Sequence, residues 1–370
     1  MKQQRRLRIF LAALAMLTMP AFALGAPVTI NWWHAHDGAL GLWVKGICEV
    51  FNKSQTQYKV VPNYKGSYFD TMNAGIAAFR ANSSPHILQV FEVGTATMMA
   101  AKDVVKPVYE VMEESGLPFD PGAYLPAVAA YYTTADGRMI SMPFNSSTPV
   151  FYYNVEMFEK AGLDPDRPPT TWPAVGEIAK KLLAAGVCKA GLSSAWSGWI
   201  HLENLGAWQN VPFGTKVNGF GGLDARYVFN SPLYVKHIQQ LADWQKDGIF
   251  VYGGRYDAGM AKFSSGEVAM FTDSSSGYAD FERDCPFEFR TSMLPYWPDV
   301  KGAPRNTIIG GASLWVLRGH PPNEYKAVAA FFNYLSRPQI QADPAAAAPE
   351  RKANATGVPL TSASGASPST

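Results

Sequence analysis

Several signatures of chemistry are missing from this chain. It carries no Gly-x-Ser-x-Gly elbow, no His-Glu-x-x-His pair and neither of the glycine patterns that cradle nucleotide or dinucleotide phosphates. Those gaps argue against serine hydrolases, zincins and nucleotide-driven enzymes. They leave open a glycosidase, whose carboxylates come from distant points in the chain. Cysteine is scarce, with only Cys48, Cys188 and Cys285 in 370 residues. An odd count permits one disulfide at most, and no spacing resembles a zinc site. Cys48 reads as a small core residue of a helix, and a Cys188–Cys285 bridge stays open. An excess of either charge is also lacking. The net charge of +2 is too weak a field to draw nucleic acid, so no such partner is expected. No internal repeat is visible.

Aromatic residues, by contrast, are abundant, with 10 Trp and 17 Tyr. Such amphipathic rings fill cores and also line clefts that accept ligands with both apolar and polar faces. Hydrophobic residues at 47% argue for a folded bulk, and the length suffices for two ordinary domains. The N-terminus reads as an address. Basic Met1 to Arg8 precedes the apolar run Ile9 to Leu17, and Ala21-Phe22-Ala23 offers a cleavage site, with Ala26 a second. The apolar core is short of the ~20 residues of a membrane span. An exported, soluble mature protein is expected, with residues 1–23 removed.

Strand and helix patterns then alternate, which predicts an α/β fold with a mostly parallel sheet. Strands are read at Val28 to His34, Tyr58 to Pro62 and His86 to Phe91, with a helix carrying Leu42 to Phe51 after a break at Asp37-Gly38 and another opened by Tyr68. A second series follows. Its helices are Trp172 to Ala185 capped by Thr171, Trp199 to Trp208, and Pro232 to Lys246 capped by Ser231; Glu267 to Thr272 is a strand. Thr307 to Val316 and Asn323 to Leu335 add a last strand and helix. The final stretch, 341–370, has no aromatic residue and is rich in Ala, Pro, Ser and Thr, so disorder is expected there.

Five constellations could carry function, each beside a plainer reading. Between Pro143 and Pro149 lies Phe144-Asn145-Ser146-Ser147-Thr148, flanked by the strand-like Met139 to Ser141 and Val150 to Tyr153. It reads as a polar step between two lobes and part of a cleft floor; the alternative is a turn whose hydroxyls cap local backbone. Asp273-Ser274-Ser275-Ser276-Gly277 could present N–H groups to an anion, or could simply cap a helix. Ala195-Trp196-Ser197-Gly198-Trp199 could form an aromatic wall, or one indole could pack in the core. Glu92 ends a strand, where open α/β sheets place ligands, although surface glutamates usually have no specific role. His34-Ala35-His36-Asp37 suggests a metal only weakly, because no further ligands are identifiable, and a structural role is favoured.

Taken together, these stretches resemble a known family. Tyr64 to Tyr68, Ala74 to Arg80, Ile87 to Ala101, Pro143 to Tyr153, Ala161 to Pro165, Gly198 to Asn204 and Ile308 to Val316 occur in its order, across about residues 28–340. The chain resembles the extracytoplasmic solute-binding proteins of ABC importers, in the maltose-type branch, and within it those that take sn-glycerol 3-phosphate. The resemblance implies a two-lobed, type II periplasmic-binding-protein fold with hinge strands. Lobe 1 would be 24–140 with 303–340 returning to it, and lobe 2 would be 146–300.

It further implies a periplasmic monomer without cofactor or catalysis. The protein would deliver sn-glycerol 3-phosphate or a glycerophosphodiester to inner-membrane permease subunits driven by a cytoplasmic ATPase. Carried over residue by residue, it implies ligand contacts from Tyr68, Glu92, Ser147, Ser274 and Gly311, with Trp196 and Trp199 lining the cleft. The physical roles fit, since Glu92 can accept from glycerol hydroxyls while the neutral donors hold phosphate oxygens. A different polyol or oligosaccharide, or an exported hydrolase, are the alternatives. From Ala342 onward the family pattern, which continues with a ligand-contacting Tyr and an Arg, is not matched. The tail reads as truncated or out of frame, and weak binding or incomplete folding is expected from that loss.

Overall fold

In the computed structural model, residues 26–134 and 136–342 are described. The signal segment 1–23 and nearly all of the 341–370 tail lie outside them. Two sheets organise the described residues. The first holds β1 (Val28–His34), β2 (Tyr58–Tyr64), β3 (Ile87–Phe91), β4 (Val105–Lys106), β5 (Met142–Ser147) and β10 (Gly310–Leu317). The second holds β6 (Pro149–Asn154), β7 (Ala190–Ser194), β8 (Val268–Ser274) and β9 (Phe289–Ser292). Every residue of β3, β7 and β8 is buried, as expected for strands covered by helices on both faces.

The expectation of a mostly parallel sheet needs correction. Only the pairs β1–β2, β1–β3 and β7–β8 are parallel. β10 runs antiparallel to β3, β4 and β5, and β6 antiparallel to β8 and β9. β10 reaches the first sheet from β9 of the second, so it enters from the opposite end to the βα units around it. Its position in the sheet is a tertiary fact that no local pattern carries.

The polar step is also not a turn. Asn145, Ser146 and Ser147 are strand residues, paired with Ala312, Gly311 and Gly310 across β5–β10. The preceding Met139 to Ser141 forms only an isolated bridge, Thr133 to Met139. The crossing between sheets is therefore a single residue, Thr148. Its N–H donates to Ser275 Oγ (3.1 Å), its carbonyl accepts the Ser275 N–H (2.8 Å), and its Oγ1 lies 2.9 Å from Thr307 Oγ1. Thr307 belongs to the return crossing between β9 and β10, so the two crossings are bonded to each other.

Local sequence explains the elements that frame the cleft. Ser67 and Asp70 form a reciprocal capping box that starts the Tyr68–Arg80 helix. That helix buries Thr71, Gly75 and Ala78. A Cβ at Gly75 would stand 2.4 Å from Leu88 Cδ2, so glycine lets the helix lie directly on β3 and fixes where Tyr68 points. Thr171 caps the Trp172–Ala184 helix through the Ala174 N–H (3.3 Å). Ser231 precedes the Pro232–Lys246 helix as expected but makes no side-chain cap. All three cysteines are free thiols.

Candidate functional site

Between the sheets lies a cleft of about 640 Å³. Tyr68, Glu92, Ser147, Trp196, Trp199, Ser274 and Gly311 all line it, together with Asn145, Glu203, Arg255, Asp273 and others. The seven residues expected from sequence are thus brought together from the ends of β3, β5, β8 and β10, one helix start and the Trp196–Trp199 segment.

On the first-sheet side a polar chain orients the floor. Gln89 Oε1 accepts the Ala35 N–H (2.9 Å), which leaves its amide nitrogen to reach His36 Nε2 (2.8 Å) and Asn145 Oδ1 (3.2 Å). Asn145 Nδ2 in turn donates to the Tyr68 hydroxyl oxygen (3.2 Å). That oxygen is an acceptor here, so its proton remains free to donate to a bound molecule. The Tyr68 ring is fixed by stacking on Phe91 at 5.5 Å. Burial lowers the pKa of His36 to about 4 and holds it neutral, with its Nε2 accepting from Gln89. It is a structural member of this chain.

Glu92 is buried, and desolvation pushes its pKa up to about 8, with the Glu203 carboxyl adding to the rise. Gly311 has φ +104, and a Cβ there would stand 2.1 Å from the Asn145 carbonyl oxygen. Next to it, a Cβ on Gly310 would meet the Trp199 ring at 2.6 Å and Ser147 Oγ at 2.7 Å. These two glycines let β10, β5 and the indole close on one another.

The second-sheet side supplies Trp196, Trp199 and Ser274. Trp199 opens a π-helical turn, Trp199–Asn204, and its Nε1 is buried without a partner. The turn is held from behind by Trp297 Nε1 to His237 Nδ1 (3.2 Å) and His237 to His201 (3.0 Å). In front, Asn204 Oδ1 accepts from Thr307 Oγ1 and the Ile308 N–H, both at 2.9 Å. Trp196 adopts φ +45, stabilised by its N–H to the Tyr256 carbonyl (2.7 Å). Ser274 both caps and lines the cleft: its Oγ accepts the Ser276 N–H at 3.2 Å. Asp273 beside it is buried, with Oδ1 receiving the Ser274 N–H (2.6 Å) and Oδ2 unpartnered. Burial raises its carboxyl to about 8 and that of Glu203 to about 7.

Asp273, Glu203 and Asn145 belong to the stretches that carry the family resemblance or the polar constellations, but nothing in their local pattern marks them as site residues. Arg255 lay in none, because a basic residue in a glycine-containing loop carries no distinguishing pattern. The stretch from Ala342, where the sequence does not match the family's Tyr and Arg segment, falls outside the described residues apart from Ala342 itself.

One cluster elsewhere suggests a metal. His86, His320 and Glu324 bring their ligand atoms within 4.8 Å of one another. However, His86 Nδ1 accepts the Asn31 N–H (3.0 Å), so its one proton sits on Nε2, which lies 2.6 Å from Glu324 Oε2. A nitrogen that donates has no lone pair for a metal. The cluster instead fastens the start of the Pro322–Leu335 helix to the strand edge.

Comparison with known proteins places the chain. A family model described as bacterial extracellular solute-binding protein matches residues 46–363. The chain belongs to the bacterial extracellular solute-binding proteins. That family match runs past residue 341, further than the resemblance seen in the sequence. Within the family, the chain is 48% identical over 322 residues to the sn-glycerol-3-phosphate-binding periplasmic protein UgpB of Rhizobium meliloti, covering 87% of this chain and 74% of that protein. It is 50% identical over 319 residues to UgpB of Salmonella typhimurium, covering 86% and 72%. Solved structures share the fold at low identity. UgpB from Mycobacterium tuberculosis with glycerophosphocholine gives TM-score 0.72 at 19% identity, over 88% of this chain and 81% of that one. The acarbose-binding GacH receptor of Streptomyces glaucescens gives 0.73 at 17%, over 87% and 79%. The two-lobed, maltose-binding-like type II architecture is thereby shown.

The raised carboxyls of this family member predict its pH response. A carboxyl whose folded pKa is raised contributes stability below its unfolded value, near 4, and loses it as pH rises through about 7–8. His34 and His36, lowered to about 4 by burial, act oppositely but only below 6.5. Melting of the ligand-free protein should therefore fall in temperature between pH 6.5 and pH 8.5, and E92Q should flatten that slope. A temperature that rises over this interval in scanning calorimetry contradicts the assignment.

Proposed function

We propose that this chain is the extracytoplasmic solute-binding component of an ABC importer and captures sn-glycerol 3-phosphate. Glycerophosphodiesters such as glycerophosphocholine are the related cargo. The observation that carries this reading is the convergence of seven residues, matched by resemblance from scattered stretches, on one cleft. The names of relatives near half identity over most of the chain support the ligand.

Glu92 accepts the glycerol hydroxyls, and Tyr68, Ser147, Ser274 and the Gly311 N–H donate to the remaining oxygens, while Trp196 and Trp199 wall the ligand. Ligand binding selects a closed arrangement of lobe 1 (24–140 with 303–340) and lobe 2 (146–300) about the bonded crossings at Thr148 and Thr307. The closed form presents both lobes to membrane permease subunits served by an ATPase. The protein works as an exported periplasmic monomer, without catalysis, cofactor or nucleic acid. At a ligand concentration of 100 times Kd, stabilisation of about 2.7 kcal/mol should raise the melting temperature by several degrees. Glycerol 3-phosphate should be recovered unchanged, and turnover of it would contradict the reading.

A further inference from the structure

We propose that Asp273 enters the complex as a neutral acid and donates its Oδ2–H to the phosphate that Ser274 also contacts, which makes it a further specificity-determining residue of this cleft. The proposal rests on the functional reading above and deepens it. Asp273 is 1% exposed, stands next to last in β8 before Ser274, and lines the cleft. Its Oδ1 accepts the Ser274 N–H at 2.6 Å, whereas no ion pair or hydrogen bond reaches Oδ2 among the described residues. An acid with one oxygen engaged as an acceptor carries its proton on the other. A buried donor without an acceptor costs about 1–3 kcal/mol, a cost that an incoming anionic oxygen removes. Gly277, also in the lining, leaves room at that oxygen, since a Cβ there would stand 3.1 Å from Oδ2.

The groups that face Asp273 favour its neutral form. Burial raises its carboxyl to about 8, and the Asp257 and Asp280 carboxyls add to the rise. Asp280 is itself partnered by Arg283 at 2.7 Å. From β6, the Tyr152 hydroxyl donates to the Ser274 carbonyl (2.8 Å), and burial keeps that hydroxyl protonated. An ionised Asp273 would set a further negative charge beside the phosphate. The neutral acid instead supplies a hydrogen bond that is stronger to an anion than to a sugar hydroxyl. Asp273 therefore favours a phosphate-bearing solute over an uncharged one while adding no fixed charge to the cleft.

Calorimetric titration of the full chain, D273N and D273A with sn-glycerol 3-phosphate at pH 7.5 and pH 9.0 tests this. The solute's phosphate is a dianion at both values. Asparagine keeps an acceptor for the Ser274 N–H and a donor in place of Oδ2–H, and it cannot ionise. At pH 7.5, D273N should bind within about threefold of the unaltered protein, and D273A, without the donor, about 10–100-fold more weakly. From pH 7.5 to pH 9.0 the unaltered protein should lose about eightfold in affinity relative to D273N, as the protonated fraction of a group near 8 falls away. Glu92 and Glu203 titrate in both proteins and cancel from that ratio. A ratio constant within twofold, or D273A binding as tightly as the unaltered protein, overturns the role of Asp273 and leaves the functional reading intact. No binding by the unaltered protein overturns both. Should the variants not melt cooperatively, infrared difference spectra of the unaltered protein at pH 9.0 decide: the solute should add the carbonyl stretch of a protonated carboxyl, and a spectrum without that gain overturns the proposal.

Discussion

Replacing Glu92 with alanine is expected to weaken binding of sn-glycerol 3-phosphate by on the order of 100-fold or more. Each ligand hydroxyl left without its acceptor in a closed cleft costs about 1–3 kcal/mol, and two such losses multiply to that range. Stability should move the other way or stay constant, because a buried ionisable group is removed. E92Q keeps an acceptor of the same shape and should lose far less affinity. Calorimetry that finds E92A binding as tightly as the unaltered protein removes Glu92 from the site.

Gly311→Ala should lower stability by about 2–4 kcal/mol, a fall of roughly 5–10 °C in melting temperature, and should weaken binding as well. Two effects combine: φ is +104, and the added methyl would stand 2.1 Å from the Asn145 carbonyl oxygen. Gly319 separates them, since its φ is +102 with nothing within 4 Å of a Cβ. G319A should therefore show only the conformational cost, about 1–2 kcal/mol, and normal binding. Equal melting temperatures for G311A and G319A would mean that β5 yields to the methyl, and that the close approach of β5 and β10 is not a constraint on the cleft.

How much of this was legible in the sequence depended on where the determining contacts lie. The sequence pattern marks β1 at its observed ends, and β3 and β8 almost so, because apolar or β-branched runs bounded by turns carry their own signal. The Trp172–Ala184 helix was equally plain, since Thr171 caps it in the ordinary way. β5 was not, because Asn145-Ser146-Ser147 has turn composition; pairing with β10 makes it a strand and shortens the crossing to Thr148. The Ser274 stretch had two readings, and the structure satisfies both at once. In the site, residues inside recognisable stretches are legible, whereas the unpartnered Asp273 Oδ2 and the lining Arg255 emerge only where the two sheets face one cleft.

The most direct test of the account is titration of the unaltered, folded protein with sn-glycerol 3-phosphate in a calorimeter. One-to-one saturable binding, with the ligand recovered intact, is the expected result. A protein that melts cooperatively yet gives no saturable heat with this ligand or with glycerophosphocholine would contradict it.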